Sequence, residues 1–256
     1  MAEGLWDDVA AAYDRSFATL CSGTAPALLT RIPSGSRVLD VGCGSGHLTA
    51  ALLTAGHVVT AVDPDPEMVA LASSRSGADV RQGGLPDLPF DDAPFDVVLA
   101  NFVLNHVDDP RAATRGLVRV ARSGGQVAAT VWPASLMHQA QLWNDLLDAA
   151  GAVRPPAPRL APHLDFERSS EGLGSLLSGA GLDVIEASAP RWDWSVRPED
   201  FWAGATTIGN FGVTWRAQST AVQESMRELY EDFAAPWLVG EHLVFPVEAV
   251  LVTASP

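Results

Sequence analysis

The stretch Val38-Leu39-Asp40-Val41-Gly42-Cys43-Gly44-Ser45-Gly46 constrains this chain more than any other. An apolar run of strand character enters a glycine turn, and an acid stands two residues before the first glycine. Glycine lets the main chain adopt left-handed angles and lets a ligand approach it closely. A dinucleotide-binding turn orders its glycines as G-x-G-x-x-G and sets the diphosphate on a helix N-terminus. Here His47 takes the third glycine's place, and Asp40 would bring a carboxylate near the diphosphate. A ligand with a cationic amino-acid end and a nucleoside end suits such a turn better.

From Arg37 to Trp132 strand and helix patterns alternate, which implies a parallel sheet covered on both faces. Strands are expected at Arg37–Val41, His57–Val62, Asp79–Gln82, Phe95–Ala100 and Gln126–Trp132. Asp65-Pro66 and Asp109-Pro110 each supply an N-cap and a proline at the first helical position. The second of these helices is expected to end near Arg122, with Gly124-Gly125 stopping it. Ahead of this block, Trp6–Phe17 and Ala25–Ile32 read as short helices. After it, helices are expected over Ala134–Ala150, Gly172–Ala180, Pro198–Thr206 and Thr220–Phe233. Leu182–Trp194 and Leu243–Thr253 have strand character, and the proline-rich Arg154–Pro162 excludes regular structure. The reading is one domain over residues 1–256, with a ligand-binding core at 36–132. Residues 133–181 and 196–242 form cap or lid insertions.

Composition narrows the partners. The formal charge is −15, and all 16 basic residues are arginine. Such a field repels phosphate backbones, so nucleic acid and anionic membrane are excluded as main partners. No run nears the roughly 18 apolar residues that span a bilayer, and Met1–Asp8 lacks the apolar stretch of a secretory signal. The chain reads as cytoplasmic, and its two cysteines imply neither a disulfide framework nor a metal site.

Asp63 ends the second expected strand, 21 residues after Gly42. A carboxylate there faces the same crevice as the glycine turn and can accept from both hydroxyls of a ribose. Its alternative role, as part of the turn Asp63-Pro64-Asp65-Pro66, is weaker because Asp65 already fills the cap position. Met68, one turn into the next helix, lies either against a base or in the core.

Four blocks carry a resemblance: Asp40–Gly46, Asp63–Met68, Leu88–Val98 and Asn105–Pro110. Together they resemble class I S-adenosylmethionine-dependent methyltransferases, and most of all the group containing ubiquinone and menaquinone biosynthesis enzymes and many small-molecule methyltransferases. The resemblance implies an α/β fold, with a seven-stranded, mostly parallel Rossmann-like sheet whose last strand is antiparallel, helices on both faces and a small helical cap. It makes Leu182–Trp194 and Leu243–Thr253 the sixth and seventh strands. It implies S-adenosyl-L-methionine as cofactor and S-adenosyl-L-homocysteine as product. By the same resemblance, Asp40 and the turn Gly42, Cys43, Gly44 and Gly46 hold the methionine end. Asp63 holds the ribose, with Pro64 and Met68 also counted in the cofactor site, Gly84 and Leu85 flank the adenine, and Asn101 and Phe102 line the methionine and methyl. Tyr13 matches a tyrosine that closes over the cofactor.

Two departures from the family pattern stand out. Gln82-Gly83-Gly84-Leu85 replaces the usual acid after the third strand, so the adenine amino group must be met by backbone or by Gln82. Ser123 replaces a proline before the fifth strand. A general base is needed only if the acceptor loses a proton as it attacks. The candidates are His138, just past the fifth strand, and His106, after the fourth, whose alternative role is structural; His163, Asp165 and His242 rank below them. Seven of eight tryptophans lie at or beyond residue 132. With Phe166, Phe201 and Phe211, they either line an apolar acceptor pocket or pack the insertions. Arg111, Arg115, Arg119 and Arg122 read as a solvated helix face. The expected activity is methylation of oxygen, nitrogen or carbon on a small, fairly apolar metabolite of bacterial specialised metabolism, by a monomer or homodimer. A non-methylating cyclisation or rearrangement at the same site, and a non-catalytic scaffold, are the alternatives.

Overall fold

The computed structural model describes residues 10–92, 94–156 and 159–256. The first residues of the helix expected over Trp6–Phe17, the amino-terminal segment judged for a signal, and part of the proline-rich stretch lie outside them. Three short helices open the described chain: α1 (Ala10–Arg15), α2 (Phe17–Ser22) and α3 (Ala25–Leu29). Then β1 (Arg37–Val41), α4 (His47–Thr54), β2 (Val58–Asp63), α5 (Pro66–Ser76), β3 (Asp79–Gln82), β4 (Phe95–Asn101), α6 (Pro110–Val120) and β5 (Ala121–Val131) follow. The remainder comprises α7 (His138–Ala149), α8 (Ser170–Ser178), β6 (Asp183–Ser188), β7 (Arg191–Val196), α9 (Pro198–Thr207), α10 (Gly209–Arg216), α11 (Thr220–Ala234), β8 (Leu238–Val239), β9 (His242–Glu248) and β10 (Val250–Ser255).

The main sheet has seven strands in the order β3-β2-β1-β4-β5-β10-β6, and only β10 runs antiparallel to its neighbours. Side chains of a strand alternate between faces, and these strands use both. Leu39, Val98, Ala100, Val127 and Val252 pack with α6 and α8. Their neighbours Val38, Val97, Leu99, Ala128 and Leu251 pack with α3 and α4. Strand order reverses between β1 and β4, so a crevice opens at their carboxyl ends, where open α/β sheets bind ligands.

Caps follow the expected chemistry. Asp65 Oδ1 accepts from the Glu67 and Met68 amides, and Asp109 Oδ1 accepts from those of Arg111 and Ala112. Helix α6 stops at Val120, earlier than expected, and Gly124-Gly125 belongs to the β5 segment rather than to a helix stop. The arginines of this region lie on a largely exposed face, as expected, and three of them also make specific bonds. Arg119 clamps the loop before β4 through the Phe90 and Leu88 carbonyls at 2.6 and 2.8 Å. Arg111 reaches the His163 carbonyl, and Arg122 pairs with Asp96.

The largest departure concerns the last strands. Leu182–Trp194 is two strands, β6 and β7, and Leu243–Thr253 likewise divides between β9 and β10. The two stretches form one antiparallel ribbon that turns a corner where the Ala249 amide donates to the Pro190 carbonyl at 3.0 Å. Before the corner the ribbon closes the main sheet; beyond it, β7-β9-β8 forms a second sheet. On that sheet Trp194 and Phe245 are paired and buried, and they pack with Trp143 of α7, Phe201 of α9 and Tyr230 of α11. Most of the carboxyl-terminal aromatics therefore hold this second layer together. Of residues 133–181, α7 joins that layer, whereas α8 packs on the main sheet.

Candidate functional site

The turn after β1 shows why glycine is required. Gly42, Gly44 and Gly46 all have positive φ, at 65°, 53° and 84°. A Cβ on Gly42 would lie 2.6 Å from Val103, and one on Gly46 2.8 Å from the Ala72 Cα. The turn thus serves two purposes: Gly46 seats α4 against α5, while Gly42 and Gly44 expose main chain to the crevice.

Two acids close on it from the ends of β1 and β2. Asp40 is buried and accepts from Thr49 Oγ1 at 2.6 Å. Asp63 is also buried, and it accepts from the Gly44 amide at 2.9 Å and the Asp65 amide at 3.0 Å. Asp63 therefore does take part in its own turn, and it also ties β2 to the glycine turn. Burial pushes the Asp40 carboxyl up to about 7, with Asp63 adding repulsion and the Thr49 bond opposing. Burial likewise pushes Asp63 up to about 6, against the two amide bonds.

Helix α1 covers this region. Tyr13 sits over Gly44, whose Cβ would come 3.1 Å from its ring, and its hydroxyl bonds the Cys21 thiol. Asp14 pins the helix from beside it, meeting His47 Nε2 at 3.0 Å and Arg75 Nη2 at 2.5 Å. Across the crevice, Asn101 is held by Thr130 Oγ1 and by its own donation to the Cys21 carbonyl. Phe102 follows at φ 60°, a left-handed angle that costs a side-chain-bearing residue about 1–2 kcal/mol. Its amide donates to Thr130 Oγ1 at 2.9 Å, and its ring stacks on Trp132 at 3.7 Å and 13°. Strain held by such contacts fixes this ring at the crevice wall.

A cavity of about 520 Å³ joins these parts. Tyr13, Gly42, Gly44, Asp63, Pro64, Met68, Gly84, Leu85, Asn101 and Phe102 line it, all of them expected from the sequence. Asp40 and Cys43 instead line a smaller adjoining hollow, with Tyr13, Cys21 and Asn101. Gly46 lines neither and acts only in packing. Gln82 turns its amide onto the Pro64 carbonyl at 3.1 Å, away from this space.

The two histidines expected as base candidates stand in different places. His138 begins α7 with its side chain exposed, and its ring lies 5.1 Å from that of Trp237; Met137 and Gln139 on either side line the cavity and it does not. Successive helical residues point about 100° apart, so two flanking residues can face inward while the one between them does not. His106 does line the cavity, and desolvation by the surrounding protein holds its pKa down to about 4. Also at this end are Phe17, Leu20, Met137, Gln139, Ile208, Asn210 and Phe211. Phe211 is one of the aromatics expected to line an acceptor pocket or pack the insertions. The rest carried no sequence signal, because α2, α7 and the α9–α10 corner meet here only in three dimensions.

A profile of the methyltransferase-domain family matches residues 39–129. The chain is 34% identical over 170 residues to a ubiquinone biosynthesis O-methyltransferase of Xylella fastidiosa, covering 64% of this chain and 68% of that one. The chain belongs to the S-adenosylmethionine-dependent methyltransferases. A malonyl-acyl-carrier-protein O-methyltransferase of Pectobacterium atrosepticum is 38% identical over 141 residues, 54% of this chain and 55% of that one. The chain thus spans about half to two thirds of the length of these curated relatives. The structure of a putative methyltransferase from an antibiotic biosynthesis pathway of Anabaena variabilis shares the fold, with a TM-score of 0.62, 17% identity and coverage of 91% and 96%. S-adenosylmethionine is the cofactor of this family, and this crevice fits it. Two buried carboxylates stand beside the glycine cradle, and no arginine is among the described residues that line the cavity. That set favours a cation and hydroxyl donors over a diphosphate. Among the described residues, no helix is long and apolar enough to cross a membrane, and no cluster of ligating side chains suits a metal.

Proposed function

We propose that this protein transfers a methyl group from S-adenosylmethionine to a small, fairly apolar metabolite, with oxygen as the favoured acceptor atom. One observation carries the reading: a single cavity is lined both by Gly42, Gly44 and Asp63 of the turn region and by Phe17, Trp132, Ile208 and Phe211. The names of the two curated relatives, both O-methyltransferases, support oxygen. A role in bacterial specialised metabolism suits the apolar acceptor end. When bound, the cofactor supplies an electrophilic methyl on a sulfonium. In this reading Asp40, in the adjoining hollow, and the turn residues Gly42, Cys43 and Gly44 receive the methionine end, and Asp63 accepts from the ribose hydroxyls. Met68, Gly84 and Leu85 flank the base, and Tyr13 covers the site. Phe102, stacked on Trp132, shapes the methyl's surroundings, and an apolar wall excludes water and orients the acceptor, which supplies most of the acceleration in a displacement.

The test is incubation with S-adenosylmethionine and a panel of phenols and alcohols. S-adenosylhomocysteine is expected to accumulate one-for-one with methylated product. A product formed without it would support rearrangement chemistry, and absence of cofactor binding by calorimetry would support a scaffold.

His106 is the proton acceptor in this proposal. Its pKa of about 4 keeps the imidazole neutral down to about pH 5. His106→Ala is expected to lower kcat about 10²-fold with cofactor Kd unchanged, and His138→Ala to leave both unchanged. A silent His106→Ala would return His106 to a packing role.

Cofactor affinity should depend on pH. In the ligand-free protein Asp40 and Asp63 titrate at about 7 and about 6, and a bound cation draws both values down. Binding is therefore at full strength above about pH 8 and weakens as pH falls through 7 and 6, by up to about tenfold per unit for each group. Calorimetry at pH 8 and pH 5.5 reads this directly; equal affinities would remove both carboxylates from the site.

A further inference from the structure

Gln139 is an unexplained feature of the cavity wall. It is 1% exposed, yet it lines the cavity, and its Oε1 is buried with no hydrogen-bond partner. Its Nε2 has only the thioether of Met137, at 3.3 Å. Sulfur is a weak acceptor, so both ends of this carboxamide are poorly satisfied. A buried acceptor left unpaired destabilises the fold, and proteins keep such groups where a ligand completes them. One turn along α7 the indole N–H of Trp143 is also buried without a partner, but the two groups do not reach each other. Met137 lines the same cavity and is the adaptable neighbour that a ligand would displace to reach the amide.

We infer that Gln139 is a specificity-determining residue that accepts a hydrogen bond from a hydroxyl or N–H on the acceptor, separate from the atom that is methylated. The inference rests on the methyltransferase reading of the same cavity and narrows its substrate class. The two groups are separate because Phe102 and His106 follow β4 at the strand-order reversal, whereas Gln139 enters from α7 in the second layer. The cavity that Gln139 lines is also walled by Phe17, Trp132, Ile208 and Phe211, with Asn210 among them. The acceptor is thus an apolar, ring-sized body carrying at least two polar hydrogens, one at the reacting atom and one for Gln139. A site built to bond a polar hydrogen rejects an analogue lacking it far more strongly than an apolar pocket distinguishes a methylene.

Gln139→Met keeps the unbranched shape and removes the carboxamide; Gln139→Leu is the second variant. Without ligand, both are expected to melt about 2–4 °C above the parent, because an unpaired buried group is gone. The probes are 2,6-dihydroxynaphthalene and 6-methoxy-2-naphthol, which share a reacting hydroxyl and differ in the second donor. Calorimetry on the protein loaded with S-adenosylhomocysteine should show the parent favouring the diol at least about tenfold, and both variants binding the two probes equally. Loss of melting temperature in both variants would show the amide already satisfied, by Trp143 or by water, and would overturn the inference. Equal probe affinities in the parent would do the same, and should neither probe bind, the melting comparison alone decides. Failure of S-adenosylhomocysteine to bind any of the three proteins would instead overturn the methyltransferase reading, while the melting temperatures would still decide whether the Gln139 amide lacks a partner.

Discussion

Asp63→Ala is expected to weaken S-adenosylmethionine binding about a hundredfold while shifting the melting temperature by only a few degrees. A hydrogen bond to a charged acceptor contributes about 1.5–3 kcal/mol, and tenfold in affinity is about 1.4 kcal/mol. Losing the ribose contacts alone therefore accounts for the hundredfold. Stability moves less because two opposing terms are removed together. The variant forfeits the bonds from the Gly44 and Asp65 amides at 2.9 and 3.0 Å. It also sheds a carboxylate whose burial is unfavourable enough to push its pKa to about 6. Asp63→Asn, which retains an acceptor, should fall between parent and alanine. Calorimetry and a thermal melt on the three proteins check this, and unchanged affinity in Asp63→Ala would sink the ribose assignment.

The second large effect concerns folding. Gly46→Ala is expected to cost about 3–5 kcal/mol, whereas Gly56→Ala should cost only about 1–2 kcal/mol. Both glycines have nearly the same backbone angle, with φ of 84° and 87°. The difference lies in what surrounds them. A Cβ at Gly56 meets nothing within 4 Å, while one at Gly46 lies 2.8 and 2.9 Å from the Cα and Cβ of Ala72. Ala72 is fully buried on α5, so it cannot yield without moving that helix. At roughly 2–4 °C per kcal/mol for a chain of this size, the two variants should separate by several degrees. Equal losses would mean that the backbone angle alone, and not the seating of α4 on α5, makes glycine necessary.

The match between sequence and structure was best where the chemistry is local. Asp65 and Asp109 cap their helices because a short acid at that position meets amides two and three residues on, whatever the rest of the chain does. Asp40 and Asp63 were legible because each sits at the end of a short apolar strand, and parallel strands of one sheet deliver their ends to one edge. The turn between them announced itself through glycines that no other residue could replace. Even here the finer division was not readable: Gly46 serves packing alone, and Asp40 borders a side hollow rather than the main cavity.

Legibility was lost where remote segments meet. Nothing local to Leu182–Trp194 or Leu243–Thr253 says that each bends at its middle, because both halves are strand-like and the corner forms only when Ala249 meets Pro190. The same limit hid the acceptor end of the cavity. A histidine just past the fifth strand looked like a base, yet helix geometry turned His138 toward Trp237 and gave the inner surface to Met137 and Gln139. By itself the sequence determined the five parallel strands and the glycine turn and acids at their ends, since these follow from periodicity and from residues placed at fixed distances along neighbouring strands. Only the tertiary structure decided which side chains face the acceptor. That choice depends on how the second aromatic layer, α7 included, settles over α2, a matter of packing between segments remote in the chain.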